Sequence, residues 1–392
     1  MRRVVRQNAT RRYAMRASWS SLAAVMMAAL AGSTVPVFAA PLGLPPVPIP
    51  ADNPQTPAKI ALGAALFNDT RFSADRKVSC ATCHDPAKAF TDNLAVSKGF
   101  NDLTGTRNAP TLLNAAYMTT LFWDGREPDL EGQSKQPPIN PVEGGLPDHE
   151  TILRIMRSDP TYVPAIREVF EVEPAAVTIT HYARAVAAFQ RTLAAGDSPF
   201  DRYYYGGDKT AMTDSAIRGL AVFTGPGRCV SCHVIEQTQA LFTDNRFHNI
   251  GVGFKRIHGK EEKIAAEFLV AKKGGADVDV AVLTDPDVSE LGRFAVTESL
   301  TEVGAFKTPT LRNIDLTAPY MHDGSLRTLQ EVVEFYDNGG RLDPGDPLSG
   351  FLSGGIRPLG LLPEQEADLV AFLEALTSPG VAGTPSSVLA SQ

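Results

Sequence analysis

The chain has 392 residues, of which 43% are hydrophobic and 21% charged, and its formal net charge is −7. A globular protein of this length is expected to contain two domains. The acidic balance argues against nucleic acid as a partner, and it favours either a basic protein partner or simple solubility.

Residues 1–39 have the pattern of a signal peptide. Six arginines and no acidic residues lie in the first 16 positions, residues 22–31 are apolar, and residues 37–39 form a small-residue cleavage site. The apolar stretch is too short to span a bilayer, so a retained anchor is disfavoured and we expect no membrane span in the mature chain. Removal of residues 1–39 leaves 31 basic and 44 acidic residues, a net charge of −13. The predicted location is the periplasm.

Helical patterns dominate the rest of the chain. Residues 57–67 follow Thr56 as a cap, have Pro57 in the first turn and place apolar residues on one side. Segments 183–193 and 363–377 also show apolar residues at helical spacing. No long alternating strand pattern is seen, so we predict an all-α fold.

All four cysteines lie in two pentapeptides, CATCH at 80–84 and CVSCH at 229–233. C-x-x-C-H attaches c-type haem, because the two thiols add to the porphyrin vinyl groups and the adjacent histidine ligates the iron. A redox C-x-x-C, a zinc site shared by the two motifs and a disulfide scaffold are less favoured, since the motif occurs twice with no cysteine left over. We predict two covalently bound haem c groups, held by Cys80, Cys83 and His84 and by Cys229, Cys232 and His233.

An internal repeat surrounds these motifs. APTLLNAAYMTTLFWDG (109–125) aligns with TPTLRNIDLTAPYMHDG (308–324) without a gap, at a constant offset of 199 residues. IALGAALF and IRGLAVF precede the two haem motifs, and AFTD and LFTD follow them. We therefore predict two cytochrome c-like haem domains related by internal duplication, with bounds 50–205 and 206–378.

Two segments lie outside the repeat. Residues 255–290 are rich in Lys, Glu, Asp and Gly and are predicted to be a surface excursion. Residues 379–392 are small and polar and are predicted to be a disordered tail.

Met321 and His322 are adjacent, and both residue types can ligate haem iron. The repeat aligns Met321 with Phe122 and His322 with Trp123. The local pattern therefore makes neither of them a required ligand.

Several long segments resemble the bacterial di-haem cytochrome c peroxidases, the family that includes MauG: CATCHDPAKAFTD, GTRNAPTLLNAAY, FWDGR, NPVE, GRFAVT, FKTPTLRNIDLTAPYMHDGSL and EFYDNGG. The resemblance covers about residues 50–378. In that family the N-terminal haem is the peroxide site and the C-terminal haem feeds electrons to it. The resemblance implies that Trp123 lies between the haems, and that His322 lies at the junction of the haems without ligating iron.

Two departures from the family pattern are informative. Many members have a His, which caps the first iron, at the position of Phe100, and Phe cannot ligate iron. The resemblance thus implies an open position on the first haem. Members also have a Met at the position of Tyr336, whereas MauG has a Tyr, so Tyr336 is expected to ligate the second iron and lower its potential. The alternative for Tyr336 is a buried aromatic whose hydroxyl bonds to the backbone.

The same resemblance assigns further residues. Glu143 and Gln133 match the acid/base and polar pair of the peroxide site. Asn108, Thr317 and Pro319 match the ligands of one calcium ion between the domains, and oxygen ligands suit that cation.

Three functions follow from these features. The first is an oxidoreductase that reduces hydrogen peroxide with electrons from a small periplasmic donor, a cytochrome c or a cupredoxin. The second is a MauG-like enzyme in which peroxide-derived high-valent haems oxidise residues of a protein substrate. The third, a di-haem electron carrier, has no use for Glu143. A homodimer is among the expected assemblies.

Overall fold

The computed structural model describes residues 40–383, and its regular structure is almost entirely helical. The helices up to residue 204 are α1 Pro57–Phe67, α2 Cys80–Cys83, α3 Leu130–Gln133, α4 Glu150–Ser158, α5 Tyr162–Phe170, α6 Ile179–Gln190 and α7 Pro199–Tyr204. Those that follow are α8 Asp214–Thr224, α9 Phe254–Ile257, α10 Glu261–Lys273, α11 Val278–Thr284, α12 Pro286–Ser289, α13 Phe294–Thr297, α14 Leu329–Asp337 and α15 Pro363–Glu374.

Short 3₁₀ turns connect these helices: Thr70–Phe72, Pro86–Lys88, Phe100–Asp102, Ala115–Tyr117, Pro137–Ile139, Pro174–Ala176, Cys229–Ser231, Leu300–Glu302 and Ile314–Leu316. Strands β1 Phe247–His248 and β2 Phe306–Lys307 pair antiparallel, with Phe247 opposite Lys307. The predicted helical fold is confirmed, with this two-stranded ladder as an exception. The predicted signal peptide lies outside the described residues.

Helix α1 begins and ends where the sequence predicts. The Thr56 hydroxyl accepts a hydrogen bond from the backbone N–H of Lys59 at 3.2 Å, and Pro57 occupies the first turn. The helix packs against α6, and a Cβ atom at Gly63 would overlap the carbonyl oxygen of Ala185. Glycine therefore permits the close crossing of α1 and α6.

Helices α8 and α15 pack in the same way in the second half. A Cβ atom at Gly219 would overlap the carbonyl oxygen of Asp368, so this crossing also requires glycine. Helix α15 begins at Pro363 as predicted and ends at Glu374, before the predicted end at residue 377.

Two apolar cores lie mainly in the two halves of the chain. The first is built from α1, α4, α5 and α6, with Leu66, Ile152 and Tyr182 among its buried members. The second is built around α8, α14 and α15. Phe200 of α7 packs in the second core although it lies within the predicted first domain, residues 50–205.

The segment predicted to be a surface excursion, 255–290, has a core of its own. Its helices α10 and α11 bury Ile264, Phe268 and Val282 in a third apolar cluster. It also reaches the first half, because the Thr106 hydroxyl donates to the carbonyl oxygen of Val282 at 2.7 Å. The prediction of an excursion was wrong here, since apolar residues at helical spacing outweigh the charged composition.

The two halves meet through a reciprocal pair of backbone hydrogen bonds. The N–H of Asn108 donates to the carbonyl oxygen of His322, and the N–H of Lys307 donates to that of Trp123, both at 2.8 Å. Each residue of one bond lies 199 positions from its counterpart in the other. Contacts across the junction therefore follow the offset of the sequence repeat.

The backbone within the two repeat segments also corresponds. Asn114 and Asn313 have φ angles of 63° and 61°, and Phe122 and Met321 have φ angles of 64° and 74°. Four side-chain-bearing residues thus adopt the left-handed conformation in matching pairs.

The end of the described chain is packed. The N–H of Ala89 donates to the carbonyl oxygen of Ala382 at 2.7 Å, and Val381 packs against a buried cluster. The prediction of a disordered tail is therefore wrong for residues 379–383, and residues 384–392 lie outside the described part of the chain. Between residues 40 and 383, no helix is long and apolar enough to cross a membrane.

Candidate functional site

One connected cavity, of about 630 Å³, extends from the first C-x-x-C-H motif to the second, and its wall is mainly apolar. The residues predicted to bind a cofactor or metal, or to act in catalysis, all lie on its wall: Cys80, Cys83, His84, Asn108, Trp123, Gln133, Glu143, Cys229, Cys232, His233, Thr317, Pro319, His322 and Tyr336. The fold therefore brings this whole set together.

The two motif histidines are held in the same way. Nδ1 of His84 lies 3.1 Å from the carbonyl oxygen of Phe90, and Nδ1 of His233 lies 2.8 Å from that of Phe242. A carbonyl oxygen only accepts hydrogen bonds, so Nδ1 carries the proton and the lone pair is on Nε2. Burial lowers the pKa of both histidines, which favours the neutral form that ligates metals.

The four cysteines are unpaired, and each lies on the cavity wall beside its motif histidine. Burial raises the pKa of Cys80 to about 11 and that of Cys83 to about 12. Such thiols are poor spontaneous nucleophiles, and a disulfide scaffold is not formed.

A zinc site shared by the two motifs is not formed among the described residues. The one group of three or more metal-ligating side chains there comprises Cys232, Asp244 and His248, which takes a single cysteine from one motif. Nε2 of His248 already lies 2.9 Å from a carboxylate oxygen of Asp244. The Cys232 thiol of this group is one of the two that haem attachment would consume.

Trp123 and His322 lie at the junction between the halves. Nε1 of Trp123 donates to the carbonyl oxygen of Asn108 at 2.9 Å, which fixes the indole ring. Nε2 of His322 lies 2.9 Å from a carboxylate oxygen of Glu290, and its ring stacks on Phe306 with centroids 3.6 Å apart. His322 is only 2% exposed, and its Nε2 is engaged by a carboxylate, as suits a residue that does not ligate iron.

Glu143 has a buried carboxylate oxygen, Oε2, with no hydrogen-bond partner among residues 40–383. Burial raises the pKa of Glu143 to about 7, with Asp279 acting in the same direction and Arg126 opposing it. Gln133, at the end of α3, lies on the wall of the same cavity. A carboxyl group with a pKa near neutrality can both accept and return a proton.

A buried network of ion pairs includes Asp279 and Arg126, the two charged residues that shift the pKa of Glu143. Asp124 pairs with Arg107 at 2.6 Å and with Arg126 at 3.0 Å, and Arg126 also pairs with Asp279 at 2.7 Å. Burial alone would raise the pKa of Asp124, but Arg126 and Arg107 lower it to about 2. Sequence reasoning missed Asp279 because it lies in segment 255–290, where no motif marks it.

Phe100 is turned away from the cavity. Its ring fills the space that a Cβ atom at Gly145 would occupy, and Gly99 rather than Phe100 lies on the cavity wall. The backbone N–H of Phe100 donates to the carbonyl oxygen of Glu143 at 2.7 Å, so this loop also positions the catalytic candidate.

Tyr336 projects from α14 onto the cavity wall. Within residues 40–383 its hydroxyl has no recorded hydrogen-bond partner, so the alternative of a tyrosine bonded to the backbone is not supported. Burial raises the pKa of Tyr336, with Cys229 and Cys232 adding to the effect. A phenolate at this position would need a cation beside it, and a ligated ferric iron is such a cation.

The predicted calcium ligands offer oxygen atoms at the same wall. Nδ2 of Asn108 donates to the carbonyl oxygen of Leu94 at 2.9 Å, which leaves Oδ1 as its free acceptor. Among the described residues, no N–H or O–H group is recorded bonding to the carbonyl oxygens of Thr317 and Pro319. This donor set fits a hard cation such as calcium.

Two half-buried histidines each lie beside two unpaired thiols in one apolar cavity, and their Nε2 atoms have no recorded hydrogen-bond partner among residues 40–383. These features define the class of the protein as a c-type cytochrome with two haem sites. Comparison with known proteins identifies the family within this class. A profile of the di-haem cytochrome c peroxidase family matches residues 57–210.

Relatives match over most of the chain. Cytochrome-c peroxidase IdrP1 of Denitromonas iodatirespirans is 38% identical over 365 residues, which covers 91% of each chain. Methylamine utilization protein MauG of Methylorubrum extorquens is 36% identical over 338 residues, 86% of this chain and 83% of that one.

Solved structures of similar fold come from the same kind of protein. A MauG-like protein associated with microbial copper homeostasis has a TM-score of 0.72 and 32% identity, covering 89% of this chain and 97% of its own. The di-haem peroxidase BthA of Burkholderia thailandensis has a TM-score of 0.65 and 25% identity, covering 85% and 89%. The chain belongs to the di-haem cytochrome c peroxidase family. The predicted resemblance and the predicted enzyme class, an oxidoreductase acting on peroxide, are thereby confirmed.

Proposed function

We propose that the chain reduces hydrogen peroxide at the site beside His84, with electrons from a small redox protein of the periplasm. Each hydrogen peroxide takes up two electrons and two protons and yields two waters. The haem at that site supplies the iron that binds peroxide. The observation that carries the proposal is Glu143, whose buried, unpartnered carboxylate oxygen lies in the cavity that contains His84.

Glu143 moves the proton that cleavage of the O–O bond requires. Its carboxylate accepts the proton from the inner oxygen of peroxide and returns it to the outer oxygen, which leaves as water. A pKa of about 7 allows both steps near neutral pH. The Gln133 amide orients the peroxide.

A haem held by Cys229, Cys232 and His233 would supply electrons to this site through the junction of the two halves. Trp123 lies on the cavity wall at the junction of the two halves and is held at both its indole nitrogen and its carbonyl oxygen. A fixed aromatic ring in this place supports electron transfer between the two halves.

The test is to measure peroxide consumption by the holoprotein, with a reduced artificial donor, in wild type and Glu143→Gln. We expect the variant to retain both haems and to react about 10²–10⁴ times more slowly, the usual range for loss of an acid/base group. Glu168→Gln, on the exposed face of α5, is the matched control and should react like wild type. An unchanged rate in Glu143→Gln would assign proton transfer to another group.

A second function, oxidation of residues of a protein substrate in the manner of MauG, is favoured by Tyr336. Its hydroxyl lies on the cavity wall without a recorded partner in the described chain, as expected of a ligand to the second iron. A phenolate stabilises ferric iron, which suits a second haem that shares oxidising equivalents with the first. A simple electron carrier, in contrast, has no role for Glu143.

Further features of the chain support its domain organisation, its calcium site and its location. The reciprocal bonds at the junction and the matching φ angles support two haem domains, 50–205 and 206–378, that arose by duplication. The free oxygen atoms of Asn108, Thr317 and Pro319 support a calcium ion. Location in the periplasm follows from the need of c-type haem for attachment after export, and the homodimer stays a prediction.

A further inference from the structure

Lys307 is a cation on the cavity wall that has no anionic partner in the described part of the chain. Five cationic side chains line the cavity: Arg107, Arg126, Arg228, Lys307 and Arg357. Arg107 and Arg126 are both paired with Asp124. The other three have no carboxylate within 4.0 Å among the described residues, and two of them, Arg228 and Arg357, are exposed at the rim.

Lys307 therefore differs from the other four as a half-buried cation that is unpaired among the described residues. The carboxylates on the wall are those of Asp69 and Glu143, and Asp69 is already paired with Arg71 at 2.7 Å. Burial lowers the pKa of Lys307 to about 8, and no neighbouring charge opposes this effect. An ammonium group that is partly removed from water is stabilised by an adjacent anion, so this position suits a ligand that carries a negative group.

The position of Lys307 is fixed by the fold. Its backbone N–H donates to the carbonyl oxygen of Trp123 at 2.8 Å, and strand β2 pairs it with Phe247. Lys307 therefore lies at the junction between the two halves.

The repeat gives Lys307 a counterpart with a related task. It lies 199 residues after Asn108, the proposed calcium ligand, and the two residues make the reciprocal bonds of the junction. In the first half, Asn108 offers an oxygen atom to the proposed calcium ion. In the second half, the equivalent residue, Lys307, is itself a cation.

We propose that the Lys307 ammonium group binds a propionate carboxylate of a haem at this junction. Haem c carries two carboxylates, and an otherwise apolar wall provides few places for them. The ammonium group acts as a compact point charge, so the interaction depends on charge more than on shape.

The proposal has an electrostatic consequence. Ferric haem has one more positive charge than ferrous haem, so a nearby cation disfavours the ferric state and raises the reduction potential. Loss of the Lys307 charge should therefore lower the potential of the haem whose propionate it binds.

The experiment is an equilibrium redox titration of the di-haem protein, without peroxide, combined with resonance Raman spectra of the propionate modes. Lys307→Met removes the charge and keeps the length of the side chain, whereas Lys307→Arg keeps the charge. Lys273→Met, at the exposed end of α10, removes one surface charge as the matched control.

We expect Lys307→Met to lower the potential of at least one haem by more than Lys273→Met does, and to shift a propionate mode. Lys307→Arg should stay near wild type. Equal potentials and unchanged propionate modes in Lys307→Met and Lys273→Met would overturn the proposal. If Lys307→Met does not fold, Lys307→Gln provides the same comparison. The outcome is independent of peroxide turnover, so it is distinguishable from failure of the proposed function.

Discussion

Glu143 carries a carboxyl group that the fold removes from water without giving Oε2 a hydrogen-bond donor. Burial and the neighbouring Asp279 destabilise its charged form and raise its pKa to about 7. Only the carboxylate can accept a proton from peroxide, so the active fraction grows as the pH rises through that pKa. Proton transfer at this residue should therefore appear in the pH dependence of the reaction.

We predict that the rate constant for peroxide with the oxidised protein increases about tenfold per pH unit below the pKa of Glu143 and levels off above it. Stopped-flow absorbance at constant ionic strength measures this profile. Glu143→Gln should be slow and independent of pH over the same range, and Glu168→Gln should keep the wild-type profile. The same sigmoid in Glu143→Gln would show that another group titrates.

Tyr336 decides between the two enzymatic proposals. Tyr336→Met would replace a phenolate ligand by a thioether and raise the potential of the second haem, because thioether ligation stabilises ferrous iron. We expect oxidised wild type to react with peroxide without prior reduction and to retain two oxidising equivalents, and the variant to lose them quickly. Reductive titration after mixing with peroxide counts the equivalents.

Two outcomes contradict the MauG-like proposal. The first is wild type that retains no equivalents, and the second is a Tyr336→Met variant that retains as many as wild type. The peroxidase proposal survives either result, since turnover with an artificial donor does not depend on long retention.

At the scale of single elements, helix ends were predictable from the sequence and helix contacts were not. Thr56 and Pro57 mark the start of α1, because a capping hydroxyl and a proline in the first turn favour a helix start through local contacts alone. Gly63 gives no such signal, because its role depends on Ala185, which lies 122 residues away in sequence and touches it only after folding.

We predict that Gly63→Ala destabilises the protein by about 1–3 kcal/mol, the usual cost of overpacking a tight contact. The new Cβ atom would overlap the Ala185 carbonyl oxygen, so α1 and α6 must move apart. Chemical unfolding of the holoprotein, followed by circular dichroism, measures the change. Gly345→Ala, where a Cβ atom meets open space, is the control and should change stability little.

The sign of the stability change in Gly63→Ala shows whether α1 and α6 cross closely. Helix propensity alone favours Ala over Gly by about 1 kcal/mol. A Gly63→Ala variant that is more stable than wild type would therefore mean that α1 and α6 do not cross closely.

Segment 255–290 shows where composition misleads. Its charged residues are on the exposed side of α10, while Ile264 and Phe268 pack inward. Asp279 reaches the first half, where it contacts Arg126, and Glu290 reaches the junction, where it contacts His322. No local motif predicts these two contacts, since both depend on how the segment packs against distant parts of the chain.

At the scale of the whole molecule, the two halves form one cavity with two different ends. The cofactor residues could be predicted because each C-x-x-C-H motif is local, and the family resemblance supplied Glu143 and Tyr336. Lys307 was not predicted, because a lysine attracts notice only when its surroundings are known to lack an anion. The structure thus adds the charges and contacts that join the halves.

We propose that the two haem sites differ, because His84 alone would hold the first iron, near Glu143, whereas His233 and Tyr336 would both hold the second. Electron paramagnetic resonance of the oxidised, resting holoprotein tests it most directly. An open position leaves the first ferric iron high-spin, whereas two strong ligands make the second low-spin. We predict one high-spin and one low-spin signal of equal spin count, and two low-spin signals would contradict an open position on the first iron.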